Sequence, residues 1–175
     1  MIIMTEIPSF SNEDKVTDCC PIFHPEKWDK MIYDFSAYSF IKAQSKSFMY
    51  VPVNLDKVMT KVQKDIDGAQ AAYSDRYLIL SQDISAFKCD HYFLVKGPVP
   101  QYPSQKVEGK YYCRVQDGDF KNISTWMKDF DEELRQKGRS LKEVFLFYTT
   151  CPKCAKVYGH NYVVLLAKVD NDFEL

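Results

Sequence analysis

Residues 149–160 read TTCPKCAKVYGH and place a Cys-x-x-Cys motif between two apolar runs. The run before it, VFLFY at 144–148, and the run after it, YVVLLA at 162–167, are short and rich in aromatic and β-branched residues, which predicts two strands. Pro152 and Gly159 are residues that suit tight turns. We therefore expect two strands joined by a turn, whose thiols, Cys151 and Cys154, can bind one metal ion.

A second cysteine pair, Cys19-Cys20, lies far away in sequence and directly precedes Pro21. We predict that the N-terminal segment folds back, so that at least one of these two thiols meets the Cys-x-x-Cys motif. Adjacent cysteines seldom both reach one ion, which favours one of the pair. The candidate metal ligands are Cys151, Cys154, Cys20, Cys19 and His160, with His24 in reserve and zinc as the expected ion.

Two other interpretations of the Cys-x-x-Cys motif stay open. In the first, the cysteines pack as small apolar groups in a turn without metal. In the second, they form a redox dithiol, but such motifs normally open a helix in a thioredoxin-like unit, and a turn is expected here. Cys89 and Cys113 lie in or beside predicted strands and are expected to be core residues.

Composition limits the class of protein. A length of 175 residues favours one domain, and the 46% of apolar residues can fill a core. The net charge of −1 predicts neither a nucleic-acid nor a membrane partner, and no run approaches the roughly 20 apolar residues of a membrane span. Residues 1–18 lack the basic start and apolar run of a secretory signal. We expect a cytoplasmic protein whose cysteines are thiols or metal ligands.

The order of elements predicts a duplicated fold. Residues 1–17 are expected to form a flexible tail, and 18–175 one domain. Predicted strands cover 31–35, 40–51, 77–80, 92–95, 110–116, 144–149 and 162–169, predicted helices cover 54–68 and 120–137, and a proline-rich link covers 97–106. Two β-α-β-β halves, at about 38–97 and 107–169, then make an α+β fold. The expected antiparallel sheet has two helices on one face and a ligand cleft on the other. Trp126 is expected to pack between helix and sheet.

The strand at 110–116, followed by Asp117-Gly118-Asp119-Phe120 and Ile123, resembles the strand, turn and helix start of GyrI-like small-molecule-binding domains, which are related to SOUL haem-binding proteins. Asp119 stands where proline is usual in that family, and Phe120 where tyrosine is usual. The resemblance covers about 38–169. A narrower branch of mostly uncharacterised proteins combines a Cys-Cys-Pro start with a Cys-Pro-Lys-Cys ending, as at 19–21 and 149–162 here.

The resemblance implies a ligand cleft. The wider family includes drug-sensing domains of transcription activators, a gyrase-inhibiting protein and enzymes that hydrolyse cyclopropane-bearing DNA alkylators. Its drug sensors usually hold cations with an acidic residue on the last strand. Here the strand at 162–167 has no carboxylate, and the nearest polar residues are His160 and Asn161.

These observations lead to three hypotheses about function. The first is a small-molecule-binding protein that takes an apolar or aromatic ligand, with Tyr148, Thr150, Tyr158, Asn161 and Tyr112 as candidate contacts. The second is a hydrolase of a xenobiotic in the same cleft. The third is a structural zinc domain. No nucleophile motif or clear pair of catalytic acids is present, so the catalytic residues are left unassigned.

Overall fold

The computed structural model describes residues 2–175 and divides them into two compact units. One unit, called the terminal unit here, combines the chain up to Asp34 with Gly109–Leu175, and the other, the central unit, is Phe35–Glu108. The central unit corresponds to the first predicted half. The terminal unit contains the second predicted half and, in addition, the N-terminal segment.

The described residues form ten strands and three α-helices, in an α+β fold as predicted. The strands are β1 Ile3–Met4, β2 Ile32–Asp34, β3 Ser39–Phe48, β4 Val51–Pro52, β5 Ile79–Ser85, β6 Lys88–Val95, β7 Ser104–Gln105, β8 Lys110–Asp117, β9 Val144–Tyr148 and β10 Tyr162–Val169. The helices are α1 Leu55–Gly68, α2 Ile123–Gln136 and α3 Pro152–Tyr158. No helix of residues 2–175 combines the length and the apolar character that a membrane crossing requires.

The sheet of the terminal unit has the order β1-β2-β8-β10-β9, with every pair antiparallel except β1 and β2. Helix α2 buries Trp126, Phe130 and Leu134 against one face of this sheet. The predicted packing of Trp126 is confirmed, since only 9% of it is exposed. Gly118, in the turn before α2, has a φ of +143°, and a Cβ there would lie 3.4 Å from the Trp126 ring. Glycine thus permits both the turn and the close approach of the ring.

The other face of this sheet is covered by the N-terminal segment. Trp28 packs on Tyr33 and Phe147, with ring centroids 4.8 and 5.6 Å apart, and Phe23 lies 5.5 Å from Tyr162. Burial of large aromatic surfaces makes this arrangement favourable. In the terminal unit, therefore, the sheet face opposite α2, where we predicted an open cleft, is occupied by residues of the same chain.

The predicted flexible tail at 1–17 is also corrected for residues 2–17, while Met1 lies outside the described residues. Ile3 and Met4 pair with Ile32 and Tyr33, and Ile7 is 1% exposed. Three apolar residues anchor this segment, because Ile3 and Met4 complete a sheet edge and Ile7 fills a core position.

In the central unit, α1 packs Val62 and Ile66 on Ile41 and Phe93 of the sheet β5-β6-β3. The sequence predicted short strands at 77–80 and 92–95 and no strand in the polar residues between them, whereas the structure continues β5 and β6 through this segment as a hairpin. The polar residues there form ladder and side-chain hydrogen bonds, so their composition misled a prediction based on apolar periodicity.

Each unit pairs its strands in the same order. In the central unit β3 pairs with β6, and β6 with β5; in the terminal unit β8 pairs with β10, and β10 with β9. Each unit also places one long helix between its first and second strand of this set. An internal duplication stays a prediction that this common order favours.

Candidate metal centre

The four cysteines of the two predicted pairs converge. The thiol sulfurs of Cys19, Cys20, Cys151 and Cys154 all lie within 4.8 Å of one another. The Sγ atom of Cys19 is 3.5 Å from that of Cys20 and 3.7 Å from that of Cys151. The predicted fold-back is confirmed, and the expectation that only one of the adjacent cysteines takes part is wrong. Both side chains reach the group because this segment forms an irregular loop rather than a strand.

The spacing of these sulfurs fits a tetrahedral metal ion. A zinc–sulfur distance of about 2.3 Å places thiolates at the corners of a tetrahedron about 3.8 Å apart. The distances from the Cys19 sulfur to the sulfurs of Cys20 and Cys151 are close to this value. Four thiolates are also one of the complete ligand sets found at structural zinc sites. The cysteines therefore form a candidate metal centre with all four positions supplied by protein.

The Cys-x-x-Cys motif opens a helix rather than a turn, which corrects the sequence prediction. Cys151 has extended N-cap geometry, Pro152 is the first residue of α3, and Gly159 ends the helix at a φ of +72°. Proline at the first helical position and glycine after the last are the usual helix boundaries, so the two residues interpreted as turn formers delimit a helix instead. A redox dithiol normally opens a helix, and this motif does so, so the absence of a helix no longer speaks against that interpretation.

A shell of hydrogen bonds fixes the loop of Cys19 and Cys20 to α3. The Tyr158 hydroxyl donates to the backbone carbonyl of Cys20 at 2.5 Å, and the Cys151 N–H donates to the Cys20 sulfur at 3.4 Å. The Thr17 hydroxyl donates to the same carbonyl at 3.0 Å and lies 3.2 Å from the Cys154 sulfur. Such outer groups orient the ligands of a metal site.

The thiols differ in acidity. Burial raises the pKa of Cys20 well above its ordinary value, and burial also raises the pKa of Cys19. Burial also works to raise the pKa of Cys151. Hydrogen bonds from the Cys154 backbone and from the neighbouring thiols have the larger effect and lower the pKa of Cys151 to about 7. Cys151 therefore supplies a thiolate near neutral pH, and a bound cation favours the ionised form of the others.

His160, a predicted ligand, lies outside the group of four. Its Nδ1 atom is 2.7 Å from Asp117 Oδ2, and its ring stacks on Tyr162. Burial works to raise the pKa of Asp117, but hydrogen bonds from His160 and the Asn161 N–H lower it. His24, the reserve ligand, is likewise 2.7 Å from Asp14. Both histidines have carboxylate partners, and four thiols leave no position for them.

The model of a family described as Bacterial hydrolase matches residues 10–169. This chain belongs to that bacterial hydrolase family. The match spans both cysteine pairs and all three helices. No curated protein and no solved structure matches the chain.

In this member of the bacterial hydrolase family, the five residues predicted to contact a ligand have different contact partners. Tyr112 is a core residue whose hydroxyl donates to Glu133 at 2.6 Å, and Tyr148 stacks edge-on against Phe120. Tyr158 belongs to the shell of the cysteine group, as described above. The Asn161 side chain donates to the Gly118 carbonyl. Thr150 is 8% exposed, and its hydroxyl has no hydrogen-bond partner among residues 2–175. A ligand-binding role of these five residues stays a prediction.

Sequence reasoning missed a buried array of hydroxyls in the central unit of this family member. His91 Nε2 is 2.8 Å from Ser45 Oγ, and its Nδ1 is 2.7 Å from Ser81 Oγ. Burial lowers the pKa of His91 to about 4, so the ring is neutral. Contact between serine and histidine is the basis of many hydrolases. These three residues are at most 3% exposed, however, which assigns them to the stability of the sheet. The register of β3, β5 and β6 brings these three residues together, and a single sequence does not reveal that register.

Proposed function

We propose that this protein is a hydrolase in which Cys19, Cys20, Cys151 and Cys154 bind a zinc ion at a closed structural site. The proposal of hydrolase activity rests on the match to the bacterial hydrolase family over residues 10–169. The observation that supports zinc is the spacing of the four thiols, which suits tetrahedral coordination by sulfur.

The proposed zinc site stabilises the fold rather than catalysing the reaction. A catalytic zinc ion keeps one position open for water or substrate, and four thiolates fill all positions. When bound, the ion would stabilise the thiolates and tie the loop of Cys19 and Cys20 to α3. In this proposal hydrolysis takes place away from the cysteines.

The activity is tested with the purified full-length protein on a panel of chromogenic carboxylic esters, phosphate esters, amides and epoxides. We expect turnover of at least one class above the rate of the heat-denatured protein. Cys89→Ser, which changes a cysteine outside the cluster, is the matched control and should keep this rate. A panel without any turnover would contradict the hydrolase proposal.

Binding without turnover is the second candidate function. It is favoured by the common strand-pairing order of the two units, which suits the duplicated halves of the GyrI-like domains. Apolar and aromatic compounds that raise the melting temperature, but are recovered unchanged, would support this candidate over the hydrolase.

The metal is tested by elemental analysis of protein purified without chelator. We expect close to one equivalent of zinc in the native protein and in Cys89→Ser, and less than about a tenth of an equivalent in Cys154→Ser. Native protein without metal, in which Cys151 and Cys154 form a disulfide on mild oxidation, would instead support the redox dithiol.

A further inference from the structure

Two neighbouring turns of the central unit form an apolar tip. The turn between β3 and β4 and the turn between β5 and β6 are joined by a hydrogen bond from the Tyr50 N–H to the Ala86 carbonyl, 2.9 Å long, and by contact of the Phe48 and Phe87 rings. The tip exposes 52–66% of each of its large apolar side chains, namely Phe48, Met49, Tyr50, Val51, Val53, Ile84 and Phe87.

The exposed area of the tip exceeds what a monomer usually leaves to water. Seven such side chains present on the order of 700 Å², whereas the largest apolar patch of a typical monomer is about 300–600 Å². Met49 and Tyr50 also have φ angles of +50° and +69°. A two-residue turn of this kind normally carries asparagine and glycine, so this turn holds two bulky apolar side chains at a cost in strain.

Two lysines lie directly behind the tip. Lys46 and Lys88 are register partners on adjacent strands, and both are exposed. Within residues 2–175 neither ammonium group has an ion pair, while Asp90, one step further along the same face, is paired with Lys42 at 3.7 Å. Like charges directly opposite each other destabilise a sheet in water. An anionic surface in front of the tip would remove this repulsion.

The distance between the lysines and the tip matches the depth of a lipid interface. Phe48 is two residues beyond Lys46, which is about 7 Å along a strand, and the turn adds a few ångströms. Apolar groups of peripheral proteins enter the boundary between headgroups and acyl chains by about 5–10 Å, with basic side chains at the level of the phosphates. A second copy of the chain suits the tip less well, because a two-fold contact would bring the lysine pairs of both copies together.

We propose that this apolar tip docks the protein on an anionic lipid membrane. Phe48, Met49, Tyr50 and Phe87 enter the interfacial layer, and Lys46 and Lys88 bind the lipid phosphates. The net charge of −1 gave no sign of this surface, because the two lysines act locally while acidic residues elsewhere balance the total. The proposal is independent of the hydrolase activity and of the metal.

Sedimentation with vesicles tests the proposal on the full chain. We expect binding to vesicles of phosphatidylcholine with phosphatidylglycerol, and binding weaker by at least about tenfold to phosphatidylcholine alone. Phe48→Ser with Phe87→Ser, and separately Lys46→Glu with Lys88→Glu, should each reduce binding to anionic vesicles by at least about tenfold. Val157→Ser is the matched control, because Val157 is 63% exposed in the terminal unit, and it should bind like the native protein.

Tyr50→Trp gives a direct readout of insertion. The native tryptophans, Trp28 and Trp126, are 4% and 9% exposed, so a spectral change on adding vesicles reports the new residue. We expect a blue shift with anionic vesicles. Absence of vesicle binding, equal binding by the tip variants, or a dimer in solution that the Phe48 and Phe87 variant dissociates would each overturn the proposal.

Discussion

Tyr158 is one of two side chains outside the cysteines, with Thr17, whose hydroxyl groups hydrogen-bond to the candidate metal centre. Its hydroxyl donates to the Cys20 carbonyl and lies 3.1 Å from the Thr17 hydroxyl. Tyr158→Phe removes both contacts while keeping the ring. We expect zinc affinity to fall by about tenfold, as is common when an outer-shell group is lost. Competition with a chromophoric chelator measures the affinity.

The control for this measurement is Tyr50→Phe. The Tyr50 ring is 60% exposed and its hydroxyl lies in the central unit, so its removal should leave zinc affinity unchanged. Equal affinities of Tyr158→Phe and the native protein would show that the hydrogen bond to Cys20 has no part in holding the metal ligands.

His91 predicts a loss of stability in acid. The pKa of the folded-state ring is about 4, below the ordinary value of 6.5, because burial disfavours the cation. Between these two values the unfolded chain binds more protons, so stability is complete above about pH 6.5 and falls as the pH falls toward 4. The loss from this residue should be about 2 kcal/mol by pH 5 and about 3 kcal/mol by pH 4.

Urea unfolding of the native protein and of His91→Gln at a series of pH values checks this expectation. The variant should be less stable near pH 7, because two serine hydroxyls lose a partner, but its stability should depend less on pH in this interval. Parallel pH profiles of the two proteins would contradict the assignment of a neutral, buried His91.

At the scale of elements, the sequence located the parts that have clear apolar periodicity. The strand at 162–169 has the predicted bounds, and the strand at 144–148 ends one residue before its predicted end at Thr149. Helices α1 and α2 lie within a few residues of the predicted helices. Periodicity suffices there because each element buries one continuous face.

Other elements depend on contacts that a sequence does not display. Helix α3 has seven residues, too few for a periodic pattern, and its boundary residues also occur in turns. The hairpin at 79–95 contains polar residues whose partners lie on neighbouring strands. The approach of Cys19 to Cys151 was predictable as a hypothesis from thiol chemistry, but the participation of both Cys19 and Cys20 required the loop geometry.

Helix α2 gives a prediction at the same scale. Trp126 lies on its buried face with Phe130 and Leu134, so Trp126→Ala should lower the free energy of unfolding by about 3–5 kcal/mol. Phe120→Ala, at a ring that is 40% exposed just before the helix, should cost clearly less. Chemical denaturation measures both variants, and similar losses would contradict the packing of Trp126 between α2 and the sheet.

At the scale of the whole molecule, metal removal should release the start of the chain. Residues 17–20 are joined to α3 through the cysteine group and its hydrogen bonds. With the ion removed by a chelator, we expect cleavage by trypsin after Lys15 and Lys27 to become faster by about tenfold or more, since local opening then costs less free energy. Mass spectrometry identifies the cuts. An unchanged cleavage rate after proven metal loss would contradict a structural role of the ion.

The division of the terminal unit between the two ends of the chain has a consequence for biosynthesis. Residues 35–108 are contiguous and have their own core, so they can fold while the ribosome is still at work. Cys19 and Cys151 are separated by 132 positions, which at ordinary translation speeds delays their meeting by on the order of ten seconds. During this interval Cys19 and Cys20 are free thiols beside an incomplete sheet, so binding of the proposed metal ion would be one of the last events in the maturation of the protein.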